Sequence, residues 1–204
     1  MVEKTDTNKF DNIRNYYNKL VSIYGNDHKS ADYGRAESQS IKFKVLAQVL
    51  PDLSNKTILD IGCGLADYAT FTGCKSYTGI DLSEKMIETA KKTYPNLSLH
   101  CGNFLEHNFK QQFDIVNANG IFYLLGNNAE ETMYRLIRKM VELSKSVVAF
   151  NSLSTLALKK EEGEFYADPS ATLKFCQTLS PYVTLRHDYL PHDFTIYIYK
   201  DQNI

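Results

Sequence analysis

The stretch Ile58-Leu59-Asp60-Ile61-Gly62-Cys63-Gly64-Leu65-Ala66-Asp67 (residues 58–67) decides the fold. The apolar run from Thr57 to Ile61 has the length and bulk of a buried strand, and the glycines at 62 and 64 break it into a turn. A strand that ends in glycines and opens a helix lets the backbone approach a ligand closely and point amide N–H groups at it. Asp81 comes 21 residues after Asp60, where a second strand over Tyr77–Ile80 has just ended. A carboxylate there is placed to accept two hydrogen bonds from a ribose diol.

Outward from this stretch the chain alternates. Leu97–Cys101, Phe113–Ala118 and Val147–Phe150 read as three more strands. A helix after the second strand turns Met86, Ile87 and Ala90 inward. Another, over about 128–143, lines up Met133, Leu136, Ile137, Met140 and Val141, with Glu131 and Arg135 paired outside. Such alternation implies a parallel sheet with helices on both faces. The rhythm breaks at the end. Asp168-Pro169 starts a helix that Pro181 stops, and the strands Val183–Tyr189 and Phe194–Tyr199 have only residues 190–193 between them. Four residues cannot make a parallel crossover, so this pair is an antiparallel hairpin. Before the first strand, Phe10, Ile13, Tyr17, Leu20, Val21 and Tyr24 recur at helical spacing, as do Ile41, Val45, Leu46, Val49 and Leu50. The segment between them, 24–35, is rich in turn formers. The reading is one α/β domain, 1–204, with a helix and lid segment over about 1–36 and a core over about 37–204.

Composition excludes several classes. At 204 residues, 43% hydrophobic and 23% charged, the chain is globular, not disordered. Basic and acidic residues number 23 and 24, so no global field recruits nucleic acid or a membrane surface. No apolar run approaches the ~20 residues of a membrane span, and the polar start MVEKTDTNKFDN is no secretory signal. Cys63, Cys74, Cys101 and Cys176 are scattered, with no His at ligand spacing, which argues against bound metal and against disulfides and fits a cytoplasmic location.

Two ligand classes suit the glycine turn. A dinucleotide fold wants GxGxxG, but Asp67 stands where the third small residue and the pyrophosphate belong. A nicotinamide-dependent oxidoreductase is therefore disfavoured. The carboxylates at 60 and 67 suit a cationic nucleoside such as S-adenosylmethionine.

ILDIGCGLADYA resembles the first motif of the class I S-adenosylmethionine-dependent methyltransferases, and YTGIDLSEKMIETAKKTYP their second-strand motif. CGNF (101–104) sits where their adenine-contacting motif belongs, and FDIVNANGIFYLL (113–125) matches their fourth strand and following loop. The N-terminal YGNDHKSADYGRAESQ and the terminal LRHDYLPHDFTIYIYK are similar to uncharacterised bacterial small-molecule methyltransferases. The resemblance covers about residues 40–200. It implies a Rossmann-like, doubly wound, mostly parallel seven-stranded sheet with a C-terminal antiparallel hairpin and N-terminal cap helices. Two positions depart from the pattern: Ala66 replaces the third glycine, and Asn103 replaces an aspartate toward the adenine amino group.

The candidate cofactor residues are Asp60, Gly62, Cys63, Gly64, Asp81, Leu82, Asn103, Phe104, Asn119, Gly120 and Arg35. Candidates for the acceptor are Tyr24, His28, Tyr33, Tyr123 and Asn151, and for a general base His187 and His192. Asn119-Gly120 and Asn151 qualify because ligands bind beyond the carboxyl ends of strands. Tyr16, Tyr17, Tyr24 and Tyr33 could roof the site, since an aromatic face suits a sulfonium. Residues 16–35 and the insertion Ser154–Ala167 are candidate lids. The fourth strand ends NANG without the Pro-Pro-aromatic signature of adenine or glutamine methylation, and no basic-aromatic stripe suggests an RNA track. The expected function is methyl transfer to oxygen or nitrogen of a small molecule such as a sugar, by a monomer or homodimer. A catalytically silent S-adenosylmethionine-binding module and an RNA methyltransferase are the alternatives.

Overall fold

The computed structural model describes residues 4–202, with side chains from residue 9 onward. Its strands are β1 (Thr57–Ile61), β2 (Ser76–Asp81), β3 (Ser98–Cys101), β4 (Phe113–Ala118), β5 (Ser144–Leu153), β6 (Tyr182–Leu190) and β7 (Asp193–Tyr199). They form a seven-stranded sheet of order β3-β2-β1-β4-β5-β7-β6. The first five are parallel, and β7 inserts antiparallel between β5 and β6. Strand order reverses between β1 and β4, which opens a crevice at their carboxyl ends.

The sheet is covered on both faces, which is why β1, β4 and β5 read as continuous apolar runs instead of alternating ones. Leu59, Val116, Val148 and Ile196 pack with Met133, Leu136 and Met140 of α5 (Ala129–Leu143). Ile58, Ile115, Val147 and Tyr197 pack on the other side with Val45 and Leu46 of α2 (Ala36–Ala47). There α3 (Asp67–Thr72) contributes Tyr68 and Ala69, and α4 (Glu84–Thr93) Ile87 and Ala90. Burying each large aliphatic side chain contributes roughly 1.5–3 kcal/mol. On the α5 side, α6 (Pro169–Gln177) starts as expected, with Asp168 as its cap accepting from Ala171 N–H. Among the described residues no helix is long and apolar enough to cross a membrane.

Three details differ from the sequence reading. First, β5 has ten residues, not the four of Val147–Phe150. Its polar ends find partners only in the folded sheet, where Asn151, Ser152 and Leu153 pair with Thr195, Phe194 and Asp193 of β7. Second, only one N-terminal helix is a cap. α1 (Lys4–Tyr24) leans on α4, where the Asn18 side chain accepts from Ser83 Oγ at 2.6 Å and donates to Glu84 at 2.8 Å. α2 instead belongs to the layer covering the sheet. Third, strict alternation along the strand Val183–Tyr189 would put Leu185, His187 and Tyr189 on one face, and they do not share one. The β6–β7 register shifts between Arg186 and Leu190, so Leu185 packs with the α5 side and Tyr189 with the α2 side.

Candidate functional site

A cavity of about 440 Å³ occupies the crevice at the strand ends, within the range of small-molecule sites. Its floor is the glycine turn after β1. Gly62 has φ +68°, and a Cβ there would lie 2.3 Å from Ile121 Cγ2, so only glycine fits. Ala66, which replaces the third glycine, also adopts the left-handed region at φ 62° while fully buried.

The turn's amides do not point at the cavity. Gly62 N–H and Cys63 N–H both donate to Ile80 C=O, at 2.8 and 3.1 Å, and Gly64 N–H donates to Asp81 Oδ2 at 2.9 Å. The expectation of free amides cradling a ligand is corrected here. Parallel pairing of β1 with β2 brings the end of β2 under the turn and takes up those donors. The turn therefore presents a carboxylate where a phosphate-binding loop would present N–H groups. Asp81 Oδ1 also accepts from Ser83 N–H at 2.8 Å, so backbone N–H groups of Gly64, Leu82 and Ser83 orient a carboxylate whose two oxygens offer about four lone pairs. Burial pushes its pKa up.

Asp60 borders the same cavity at 3% exposure. Its carboxylate takes the Tyr77 hydroxyl and, at 2.6 Å, the Asn117 side-chain N–H. It does not cap the turn. Burial, partly offset by those two hydrogen bonds, pushes its pKa up to about 7. Cys63 is buried on the lining, and desolvation holds its thiol well above the ordinary range. Asp67 lies on the lining beside it, also raised by burial.

Leu82, Asn103 and Phe104 form the far end. Asn103 Oδ1 accepts Leu105 N–H at 3.0 Å and its amide donates to Glu106, so its first role is to hold the turn after β3. Phe104 is 4% exposed and also belongs to the core, under the Lys139 ammonium.

The other half of the cavity is assembled from distant segments. After β4, Gly120 N–H donates to Asn151 Oδ1 at 2.7 Å, Asn151 Nδ2 to Asn119 Oδ1 at 2.6 Å, and Asn119 Nδ2 to Tyr33 Oη at 2.7 Å. Asn151 is fully buried behind the lining and acts through Asn119 and Gly120. His192, in the β6–β7 turn, is on the lining, as are Lys42 of α2 and Asp193, joined by a 2.6 Å ion pair. Overhead, Phe10, Ile13 and Tyr17 of α1 close the roof. Tyr17 Oη lies 2.9 Å from Tyr123 Oη, and Tyr123 and Tyr16 donate to Asp32 Oδ2 at 2.6 and 2.8 Å. Asp32 follows a 3-10 turn, His28–Ala31, and has φ 60°. Phe165 N–H donates to Tyr123 C=O at 2.8 Å, which ties residues 154–167 to the same cluster.

Besides Asn151 and Tyr16, four predicted residues are not on this lining. His187 sits on β6, the edge strand, with its Nε2 buried and without a hydrogen-bond partner among the described residues, and β5 and β7 lie between it and the crevice. Arg35 is the exposed N-cap of α2. Tyr24 is exposed beneath Lys29, and His28 pairs with its neighbour Asp27 at 3.1 Å. Lys42 and Asp193 escaped the sequence reading. One signal was available: Lys42 stands at positions i, i+3, i+4 and i+7 with Val45, Leu46 and Val49, so a lysine occupies the buried stripe.

Residues 58–144 match a family model described as "Methyltransferase domain". A malonyl-[acyl-carrier protein] O-methyltransferase of Priestia megaterium (strain DSM 319 / IMG 1521) is 31% identical over 130 residues, which are 59% of this chain and 47% of that protein. A putative methyltransferase, 235L, of Invertebrate iridescent virus 6 is 33% identical over 85 residues, 40% of this chain and 32% of that one. The chain thus spans about half or less of the length of these relatives. Among solved structures, magnesium protoporphyrin IX methyltransferase (ChlM) from Synechocystis PCC 6803 with bound SAH superposes with TM-score 0.72 at 13% identity, covering 94% of this chain and 99% of that one. With the glycine turn, Asp81 and the strand order, these likenesses agree: residues 58–144 are similar to methyltransferase domains, and the chain has the fold of the class I S-adenosylmethionine-dependent methyltransferases.

Proposed function

We propose that the chain binds S-adenosylmethionine in the glycine-turn half of the cavity and directs its methyl group to an oxygen or nitrogen of a small molecule held in the other half. One observation carries this reading. The turn's amides are taken by Ile80 and Asp81, while Asp60, Asp67 and Asp81 border the cavity. The Gly62, Cys63 and Gly64 N–H groups are thus not offered to a pyrophosphate, and the acidic lining suits a ligand that is both nucleoside and cation.

S-adenosylmethionine, when bound, supplies a methyl group on a positively charged sulfur, an electrophile that needs no further activation. The residues present fit it. Asp81 offers carboxylate lone pairs to ribose hydroxyls, and Leu82 and Phe104 offer apolar faces for a purine, with Asn103 at its edge. Asp60 and Asp67 supply negative charge toward the amino end. The roof of Phe10, Ile13 and Tyr17 excludes bulk water, and alignment of reactants in such a site supplies about 7–11 kcal/mol. Of the two histidines, His192 is the one on the lining and is the candidate to take a proton from an acceptor hydroxyl or amine. Tyr33, Tyr123, Asn119 and Gly120 line the acceptor half.

The test is calorimetric titration with S-adenosylmethionine, S-adenosylhomocysteine and NADH. The first two should bind and NADH should not, and Asp81→Asn should weaken S-adenosylhomocysteine about 10–100-fold. Binding of NADH alone would overturn the reading. Methyl incorporation across a panel of alcohols, amines and carboxylates then separates an enzyme from a silent binding module.

A further inference from the structure

The acceptor half of the cavity holds hydrogen-bond donors that the protein leaves unused. The relay from Gly120 through Asn151 and Asn119 ends on Tyr33 Oη, which accepts the last bond. A phenol that accepts from Asn119 keeps its own proton for another partner, and among the described residues no protein group takes it. Beside it stands Lys42, with its Nζ 5.9 Å from the centre of the Tyr33 ring and 8% exposure for the residue. One of its three N–H groups reaches Asp193 Oδ2 at 2.6 Å. The other Asp193 oxygen is occupied by Tyr189 Oη. The pair is nearly dry, and burying two charges costs desolvation that their attraction alone seldom repays.

Both free donors belong to side chains on the cavity wall. We propose that this corner binds an anionic oxygen group of the methyl acceptor, a carboxylate or a phosphate, held between Tyr33 Oη–H and Lys42 Nζ. The inference rests on the methyltransferase reading and adds the acceptor's chemical class to it. Among the described residues no carboxylate on the lining other than Asp193 bonds either group, and Asp60 is engaged by Tyr77 and Asn117. Asp32 already accepts from Tyr16 and Tyr123, and Glu164 from Tyr166. Lys159 and Glu161, at the flap, oppose each other in sign.

The experiment loads the whole chain with S-adenosylhomocysteine and follows binding of acetate, inorganic phosphate and methylammonium by NMR chemical shift. One of the two anions should bind, acetate marking a carboxylate site and phosphate a phosphoryl site. Tyr33→Phe should weaken that anion about 3–10-fold, with S-adenosylhomocysteine affinity held within about 2-fold. Lys42→Met alone would strand the buried Asp193 carboxylate and risks misfolding, so it is paired with Asp193→Asn; that double variant should weaken the anion at least about 10-fold. Binding of methylammonium instead, binding of neither anion, or anion binding untouched by both variants would overturn the inference. Should S-adenosylhomocysteine itself fail to bind, the methyltransferase reading falls first, and this inference with it.

Discussion

The two halves of the cavity are built on opposite plans. The glycine-turn half comes from one β-turn-α passage and the end of its neighbour strand, residues 58–67 and 80–82, and its geometry is set mainly by backbone hydrogen bonds. The other half, proposed to hold the acceptor, draws Tyr33, Lys42, Asn119, Ser152, and His192 with Asp193 from five places along the chain, and side-chain hydrogen bonds and an ion pair hold it. A backbone-made site tolerates little change, because its atoms have no rotamers with which to adjust. A site made of side chains can be re-specified residue by residue while the first half stays as it is.

The sharpest way to break the comparison is at the floor. Gly62→Ala places a methyl 2.3 Å from Ile121 Cγ2 on a backbone at φ +68°. Clash and left-handed strain together should cost about 2–5 kcal/mol and abolish S-adenosylhomocysteine binding. Thermal unfolding and calorimetry read the two effects. An unaffected Gly62→Ala protein would show that the floor is not rigid.

Next in size is the buried carboxylate. Asp60 has a folded pKa of about 7, against about 4 when unfolded. Between those values the folded chain holds a proton that the unfolded chain has released. Stability from this group is therefore fully present below pH ~4, declines as pH rises to about 7, and is flat above, a span of roughly 2–4 kcal/mol. Asp60→Asn should remove that slope in denaturant unfolding measured from pH 4 to 8. A slope that persists in the variant would assign it to other groups.

Asn151→Ala probes the other half. Losing its amide leaves the half-buried Gly120 N–H without that partner, which should lower stability by about 1–2 kcal/mol while S-adenosylhomocysteine affinity changes by less than about 2-fold. A large loss of cofactor affinity would mean that the two halves are coupled instead of independent. The smallest effect is expected at Ala66, the one motif glycine that is absent. Ala66→Gly relieves a non-glycine residue at φ 62° but adds freedom to the unfolded chain, for a net gain of at most about 1 kcal/mol. A loss of stability there would show that the Ala66 methyl contributes packing beyond its strain.

The β-α alternation, the hairpin and the glycine turn with Asp81 could be read before any coordinates, because each depends on neighbours in sequence: periodicity, turn formers and a fixed spacing. The amide assignment of the turn could not. Whether Gly62 and Cys63 offer their N–H groups to a ligand or to Ile80 depends on how far β2 runs beneath them, and spacing does not report that. His187 is a similar case. Strict alternation along β6 places it with Leu185 and Tyr189, but one irregularity in pairing puts those two on opposite faces.

By itself the sequence determined the layer architecture, the place of the switch point and the acid that faces it, since local patterns of burial and backbone freedom carry that information. Only the tertiary structure decided which backbone donors of the turn are taken, that Lys42 meets Asp193 across 151 positions, and that the Asn151 relay ends on the Tyr33 hydroxyl. Hydrogen-bond satisfaction is a property of the whole packed neighbourhood, and no residue reveals its partner until the chain has closed around it.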